Sequence, residues 1–375
     1  MNSPCLIVPT FARRAVASGR YLLRLSVLPL IMTTVAPAQA HTFCVGTAAE
    51  LTSALNSAAS TYKDEDNAIQ VKHGTYQGPF AYGVSNTHSI SVSGGYYDFF
   101  GGCLPDSLPD PRLTLLDGGN TDTVLRVVML AGTSGDVTIS TLTFINGKET
   151  VNGYGGGLTV LPTGANTGDV LIERNIFQHN TNTAALGSSA GLAVSTGGVM
   201  TIRNNMFTDN TAGSASAMNL YNSAGHAYVT NNTVAYNVLT AAPVGNASVI
   251  YGGAGAAYAV FVNNIFVFVN VNVGDDIRLD SRMLMIDNDF GASNGVPDGS
   301  SIGNVHVDPK FVDDASRDLR LKPGSPLINV GDDTTSSFLG GISAYDLDGN
   351  ARIVGTAIDF GAYESDVIFT DGFGP

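Results

Sequence analysis

The densest run of side chains able to do chemistry reads "GDDIRLD", where Asp275, Asp276 and Asp280 lie close together and Asp287 and Asp289 come soon after. Clustered carboxylate oxygens suit calcium, a hard cation that takes many oxygen ligands. Paired carboxylates at a controlled separation would instead suit glycoside hydrolysis. The plainer reading of the same run is a polar loop between structural elements. Arg174 and Arg203 form a second set of candidates, since each stands just before a recurring asparagine. A polysaccharide lyase needs such a base beside carboxylates that hold calcium against a uronate, but two arginines recurring on a solvated outer face would look the same. His179 and His226 lack partners in sequence and read as turn or surface residues. No nucleophile elbow supports Ser/His/Asp chemistry, and "DLDGN" at Asp346 is calcium-like in composition but too short for an EF-hand loop.

The elements that must position these residues begin after a leader. Arg13, Arg14, Arg20 and Arg24 precede an apolar stretch from Leu25 to Val35, and Ala38–Ala40 supply small residues for cleavage before His41. Residues 1–40 are therefore expected to be a secretory signal peptide, the apolar run being shorter than the ~18 residues that span a bilayer. Its removal leaves fourteen basic residues against 32 acidic ones, a net charge of −18. Such a chain does not attract nucleic acid or an anionic membrane surface by charge. Cys44 and Cys103 remain as one pair in an oxidising compartment, where a disulfide is the expected state.

With 44 Gly, no Trp and 13% charged residues, the composition is that of a turn-rich β chain. Residues 41–112 stand apart from the rest of the chain. "TAAELTSALNSAAS" opens on Thr47 and Glu50 in capping-box spacing and continues with Leu51, Leu55 and Ala58 on one helical face. One helix beside short strands reads as an amino-terminal cap, because the first unit of a stack leaves an open edge.

Over residues 113–300 the chain repeats itself. An asparagine followed two residues later by an apolar side chain recurs at Asn175, Asn205, Asn232, Asn264 and Asn288, in steps of 30, 27, 32 and 24 residues. Each unit carries an alternating stretch before the asparagine ("DVLIE", "VMTIR"), a short strand after it ("IFQHN", "MFTDN") and a third after a glycine-rich turn ("AGLAV"). Three short strands per unit without a crossover helix coil into a parallel β-helix. The repeated asparagines are expected at a corner, in the left-handed conformation that Asn tolerates, with their amides stacked into a ladder and the phenylalanines two residues on stacked inside. A surface array that contacts ligand is the alternative reading of the same residues.

"GGGLTV…DVLIERNIFQHNT…AGLAV…VMTIRNNMFTDNT" resembles the secreted right-handed parallel β-helix proteins, the pectate-lyase-like (pectin lyase-like) superfamily, in the repeat style of bacterial surface proteins. "DPKFVD", "DLRLKPGSPLINVGD" and "DLDGNARIVGTAIDFGAYE" are similar to the choice-of-anchor Q segment that closes many such β-helices, so residues 301–365 are expected to form a choice-of-anchor-Q-like segment. Asn329 stands where that pattern has Asp, so a charge-dependent role there would be lost. Residues 366–375 resemble the short tails of proteins exported by Gram-negative bacteria. The Gly-His-Gly and Arg-x-Lys patterns of pectin-degrading members are missing.

The expectation is thus an all-β chain, a single-stranded right-handed parallel β-helix (solenoid) with an amino-terminal cap containing one α-helix. It is expected at the cell surface or released, without a membrane span once the signal is removed. Carbohydrate binding or adhesion without catalysis is the favoured role, with a polysaccharide or cell-surface glycan as partner and calcium as an optional ligand. A lyase or hydrolase acting on acidic polysaccharide and a purely structural surface protein are the alternatives.

Overall fold

The computed structural model describes residues 40–365 apart from 85–86, 131, 151–153, 185–188, 241–245, 255–256, 268–273, 281, 296–300 and 334–340. The expected signal, apart from Ala40, and the tail at 366–375 lie outside the described residues. Among those described, no helix is long and apolar enough to cross a membrane.

The chain is a right-handed-type parallel β-solenoid of about seven turns. Its first sheet runs from His41–Val45 through Asn67–Lys72, Ile90–Phe99, Val137–Ser140, Val170–Glu173, Met200–Arg203, His226–Thr230, Tyr258–Val262 and Met283–Ile286 to Ser301–Ile302. The second sheet holds eight strands from Gly74–Gln77 to Asp289–Phe290, and the third eight from Phe80–Val84 to Ser293–Asn294. A short fourth sheet, Lys148–Glu149 to Val238–Leu239, lies between second and third in each of four coils. Its two-residue strands are too brief to show a period-two pattern, so the three-strand unit read from sequence is incomplete.

Residues 41–112 already contribute strands to all three main sheets, so the stack begins inside the amino-terminal region. The helix Ala48–Ser60 closes that end, burying Leu51, Ala54, Leu55 and Ala58. Thr47 caps it, its Oγ1 accepting from Glu50 N at 3.2 Å, while the Glu50 carboxylate accepts from Gly46 N at 2.7 Å. The Cys44–Cys103 disulfide joins the first strand to the hairpin Ile90–Phe99/Gly102–Pro105.

Parallel pairing in register stacks like residues on like. Phe144, Phe177 and Phe207 form a column in the core with ring centroids 4.9 and 4.6 Å apart and nearly parallel planes. Before the third sheet the coils close tightly: a Cβ on Gly157 would lie 2.7 Å from Gly191 O, and one on Gly191 2.5 Å from Ala217 O. Only glycine allows that backbone approach.

The asparagine ladder runs along the corner between first and second sheets. Asn175 donates from its backbone N–H and its Nδ2 to Asn205 Oδ1, at 2.9 and 3.1 Å. Asn205 bonds to Asn232, Asn232 to Asn264, Asn264 to Asn288 and Asn288 to Asn304 in the same two ways. The left-handed residue is not the ladder asparagine itself but the one before it: Thr141, Arg174, Asn204, Asn231, Asn263 and Asp287 all have φ between 49° and 57°. The corner takes two residues, one to turn the backbone and one to bond along the axis.

A second ladder occupies the next corner. Gly147 N donates to Asn180 Oδ1, Asn180 bonds to Asn210 and Asn210 to Asn237, again preceded by left-handed Asn146, His179, Asp209 and Tyr236.

After the last coil the chain folds back along the outside of the second sheet. The antiparallel pair Phe311–Asp313/Asp318–Leu321, with Leu327, Leu347, Phe360 and Tyr363, covers Ile176, Met206, Ala235 and Ile265. The buried carboxylates of this segment are taken up by backbone N–H groups: Asp346 by Asn350 and Glu364, Asp359 by Asn329 and Ser365, Glu364 by Val354 and Asp359. Asn329 uses its amide oxygen to accept from Thr356 N at 3.0 Å, a role that needs no charge.

Candidate functional site

The left-handed corner residues point out of the solenoid, and the returning segment lies against them. Arg174 donates from Nε to Asp346 O at 2.7 Å and from Nη2 to Pro109 O at 2.5 Å. Asn204 donates to Tyr345 O, Asn231 to Asp359 O and Asn263 to Asp332 O. Strand register places Arg203 opposite Glu173, so Asn204 is the counterpart of Arg174 and the two arginines are not equivalent. Arg203 pairs with Glu173 at 2.7 Å and donates to Gly341 O at 3.1 Å. Burial lowers the pKa of Arg174, against the pull of Glu173 and Asp346. Both side chains fasten the carboxy-terminal segment to the coil.

The aspartate run is divided by its strand, Asp275–Leu279. Asp280 pairs with Arg278 at 3.0 Å, Asp275 is half-buried at the strand's start, and buried Asp276 accepts from Gly291 N and Ala292 N. Among the described residues no three His, Cys, Asp or Glu side chains converge as a metal cage.

A concave site lies where the returning segment meets the outer face of the second sheet, a cavity of about 430 Å³. Register builds its floor: Leu115, Thr143, Ile176 and Met206 stand in one outward column, Ile145 and Gln178 in the next. Asn146 and His179 reach it from the second corner, and Ser316–Arg320 with Tyr363 form the far wall. Arg112 enters from the turn Pro111–Leu113.

The rim arginines are held by carboxylates. Arg112 Nε lies 2.8 Å from Asp110, its Nη2 2.6 Å from Asp348, and Arg320 Nε 2.8 Å from the other Asp348 oxygen. Arg317 grips Asp209 and lies 4.2 Å over the Tyr236 ring. Burial opposes the charge on Arg112, but Asp110 and Asp348 raise its pKa above the ordinary value. The Asp209 pair does the same for Arg317. Charge on this rim is therefore balanced, and the planar donors are fixed in direction. The Gln178 side chain makes no hydrogen bond to any described residue, so its amide is open to a ligand in the groove it lines. Asp318, the one carboxylate among the described lining residues, stands 3.6 Å from Arg320.

Arg112, Gln178, Arg317 and Arg320 are not singled out by sequence reasoning. Gln178 carries a weak signal, two residues before Asn180 on the outward phase of the repeat, but Arg317 and Arg320 meet it only through the fold-back. Comparison with known protein families and with curated proteins finds no match to this chain.

Proposed function

We propose that this chain is a secreted or cell-surface β-helix protein that binds carbohydrate without cleaving it, and that the 430 Å³ groove over the second sheet is where it does so. The observation that carries the reading is the open Gln178 amide on an apolar floor of Leu115, Ile145, Ile176 and Met206, beside fixed arginine donors. Sugars present hydroxyls at their edges and C–H groups on their faces, and amides, guanidinium planes and apolar surface match both. Because the rim arginines are paired and the chain is strongly acidic, a neutral saccharide suits the groove better than a polyanion. Arg174 and Arg203 engaged with backbone carbonyls support a non-catalytic role for both. The export leader, the pectate-lyase-like repeat style and the choice-of-anchor-like ending are consistent with a surface location.

A glycan array followed by calorimetric titration tests this. Neutral oligosaccharides should bind, and Gln178→Ala should weaken binding about tenfold, the loss of one to two hydrogen bonds. Release of reducing ends from any polysaccharide would replace the reading with a hydrolase or lyase. A blank array would leave a structural role.

A further inference from the structure

Strand Ile90–Phe99 pairs with Asn67–Lys72 only as far as Tyr96 and with Val137–Ser140 only as far as Ser93; beyond that it pairs with Gly102–Pro105 alone. Opposed residues of an antiparallel pair share a face, and successive residues alternate between faces. Tyr97 lies opposite Leu104 and Phe99 opposite Gly102, so Tyr97, Phe99 and Leu104 stand on one face of the hairpin and Asp98 and Cys103 on the other. The second face is tied down. Cys103 is bound to Cys44, and Asp98 pairs with Lys72, which also donates to Gly101 O at 3.2 Å. The first face is left in solvent: Tyr97 is 39%, Phe99 53% and Leu104 36% exposed, and Phe100 at the tip 95%. The two-residue turn Phe100–Gly101 takes φ of 50° and 86°, a left-handed pattern that favours Asn-Gly and strains a bulky aromatic. Among the described residues the Phe100 ring meets that of Phe99, edge-on at 4.8 Å, and a side chain so exposed gains little from the fold that strains it. Its use lies outside the chain.

Size and polarity decide what meets this tip. At ~150–250 Å² for a whole aromatic side chain, the exposed parts make a patch of about 400 Å², half of the ~800 Å² that each partner buries in a stable protein interface. A saccharide needs polar groups around a flat apolar platform. Here the one charged residue of 97–105, Asp98, is held on the far face by Lys72, and the Phe99 and Phe100 rings meet at 73°, so they form no common platform. A lipid surface needs no hydrogen-bond partners at the tip, and it takes Phe into its apolar layer with Tyr at the headgroup level, where the hydroxyl stays wet. The order along the hairpin fits, with Phe100 in the turn, Phe99 beside it and Tyr97 and Leu104 nearer the sheet. A chain of net charge −14 is not drawn to anionic lipid, so the surface that suits it is zwitterionic. We propose that this hairpin inserts Phe99 and Phe100 into the interfacial layer of a zwitterionic lipid bilayer, holding the solenoid at a membrane surface without spanning it.

The test uses the full chain with phosphatidylcholine vesicles, and phosphatidylglycerol vesicles as comparator, read by hydrogen exchange resolved by segment. Phosphatidylcholine should slow exchange at residues 97–104, and phosphatidylglycerol should do so no better. The local readout separates the hairpin from any lipid affinity of the leader, which is common to all the chains compared. Phe100→Asn places in the turn a residue at ease with a left-handed backbone, so it should leave the melting temperature unchanged or raised. The same substitution should raise at least fivefold the lipid concentration that half-slows exchange at 97–104, and Phe99→Ser should act in the same direction. The vesicle comparison in the unaltered chain stands whether or not either variant folds. Exchange at 97–104 indifferent to phosphatidylcholine, slowing by phosphatidylglycerol alone, or an unshifted lipid concentration in Phe100→Asn would each overturn the proposal. So would a lower melting temperature in Phe100→Asn, which would make the ring a structural one, or a concentration-dependent dimer that the substitution abolishes.

Discussion

Arg317 and Asp209, 108 residues apart in sequence, meet through both faces of a guanidinium fork, Nε at 2.9 and 3.0 Å and Nη2 at 2.6 Å from the carboxylate. Asp209 is a corner residue of the coil and Arg317 belongs to the returning segment, so the pair clamps one to the other. Both side chains are partly solvated, which limits the worth of the clamp. Asp209→Ala is expected to lower stability by about 1 kcal/mol. It should also speed proteolysis within residues 308–333, and a double-mutant cycle with Arg317→Ala measures the shared part.

Removing an interior ladder asparagine should be far more damaging than removing the last. Asn232 is fully buried, and its Oδ1 receives two hydrogens from Asn205 while its own donors serve Asn264 and Ile202 O. Asn232→Ala strands donors that water cannot reach, at about 3 kcal/mol, whereas half-buried Asn304 should cost about 1 kcal/mol. Urea unfolding of the two variants gives the comparison directly.

Acidification should strengthen the carboxy-terminal segment. Burial raises Glu364 to about 7 despite Arg352, and it also raises Asp346 and Asp359. Below the ordinary Glu value both folded and unfolded chains hold the Glu364 proton and nothing is lost. Between about 4.5 and about 7 the folded chain holds it while the unfolded chain has released it, so stability falls as pH rises. Above that the full penalty is present. The melting temperature should therefore drop from pH 5 to pH 8, and Glu364→Gln should flatten the drop. An unchanged slope in that variant would exclude Glu364 as its source.

The disulfide closes a loop of 59 residues. Chain-entropy reasoning assigns such a cross-link about 4 kcal/mol. Reduction, or paired Cys44→Ser and Cys103→Ser substitution, should lower the melting temperature and expose the amino-terminal helix to exchange before the central coils. Hydrogen exchange resolved by segment checks the order.

The solenoid is legible in the sequence because its cause is local and repeated. The period-two stretches "DVLIE" and "VMTIR" place Ile172 and Ile202 on the buried side of the first sheet, and the recurring Asn-x-Phe sets Phe177 over Phe207 in the second. The second ladder is equally present in the letters, with Asn180 closing "IFQHN" and Asn210 closing "MFTDN", but a pattern keyed to the first asparagine does not reach it. The expected left-handed position falls one place too late, since backbone torsion and side-chain bonding divide between neighbouring residues whose types overlap.

What the sequence alone determined, then, is the coil, since each strand, corner and core position depends on residues a few places apart and on the next copy of the same pattern. What only the tertiary structure decided is the site. Gln178 and Arg320 face one groove, Arg174 is occupied by Asp346 O, and Asp289 rather than Asp275 or Asp280 shares a cavity with Asp276. Those pairings join residues from separate coils or from the returning segment. Nothing periodic links their positions along the chain, and only the stacked coils and the segment folded onto them bring these residues to the same places.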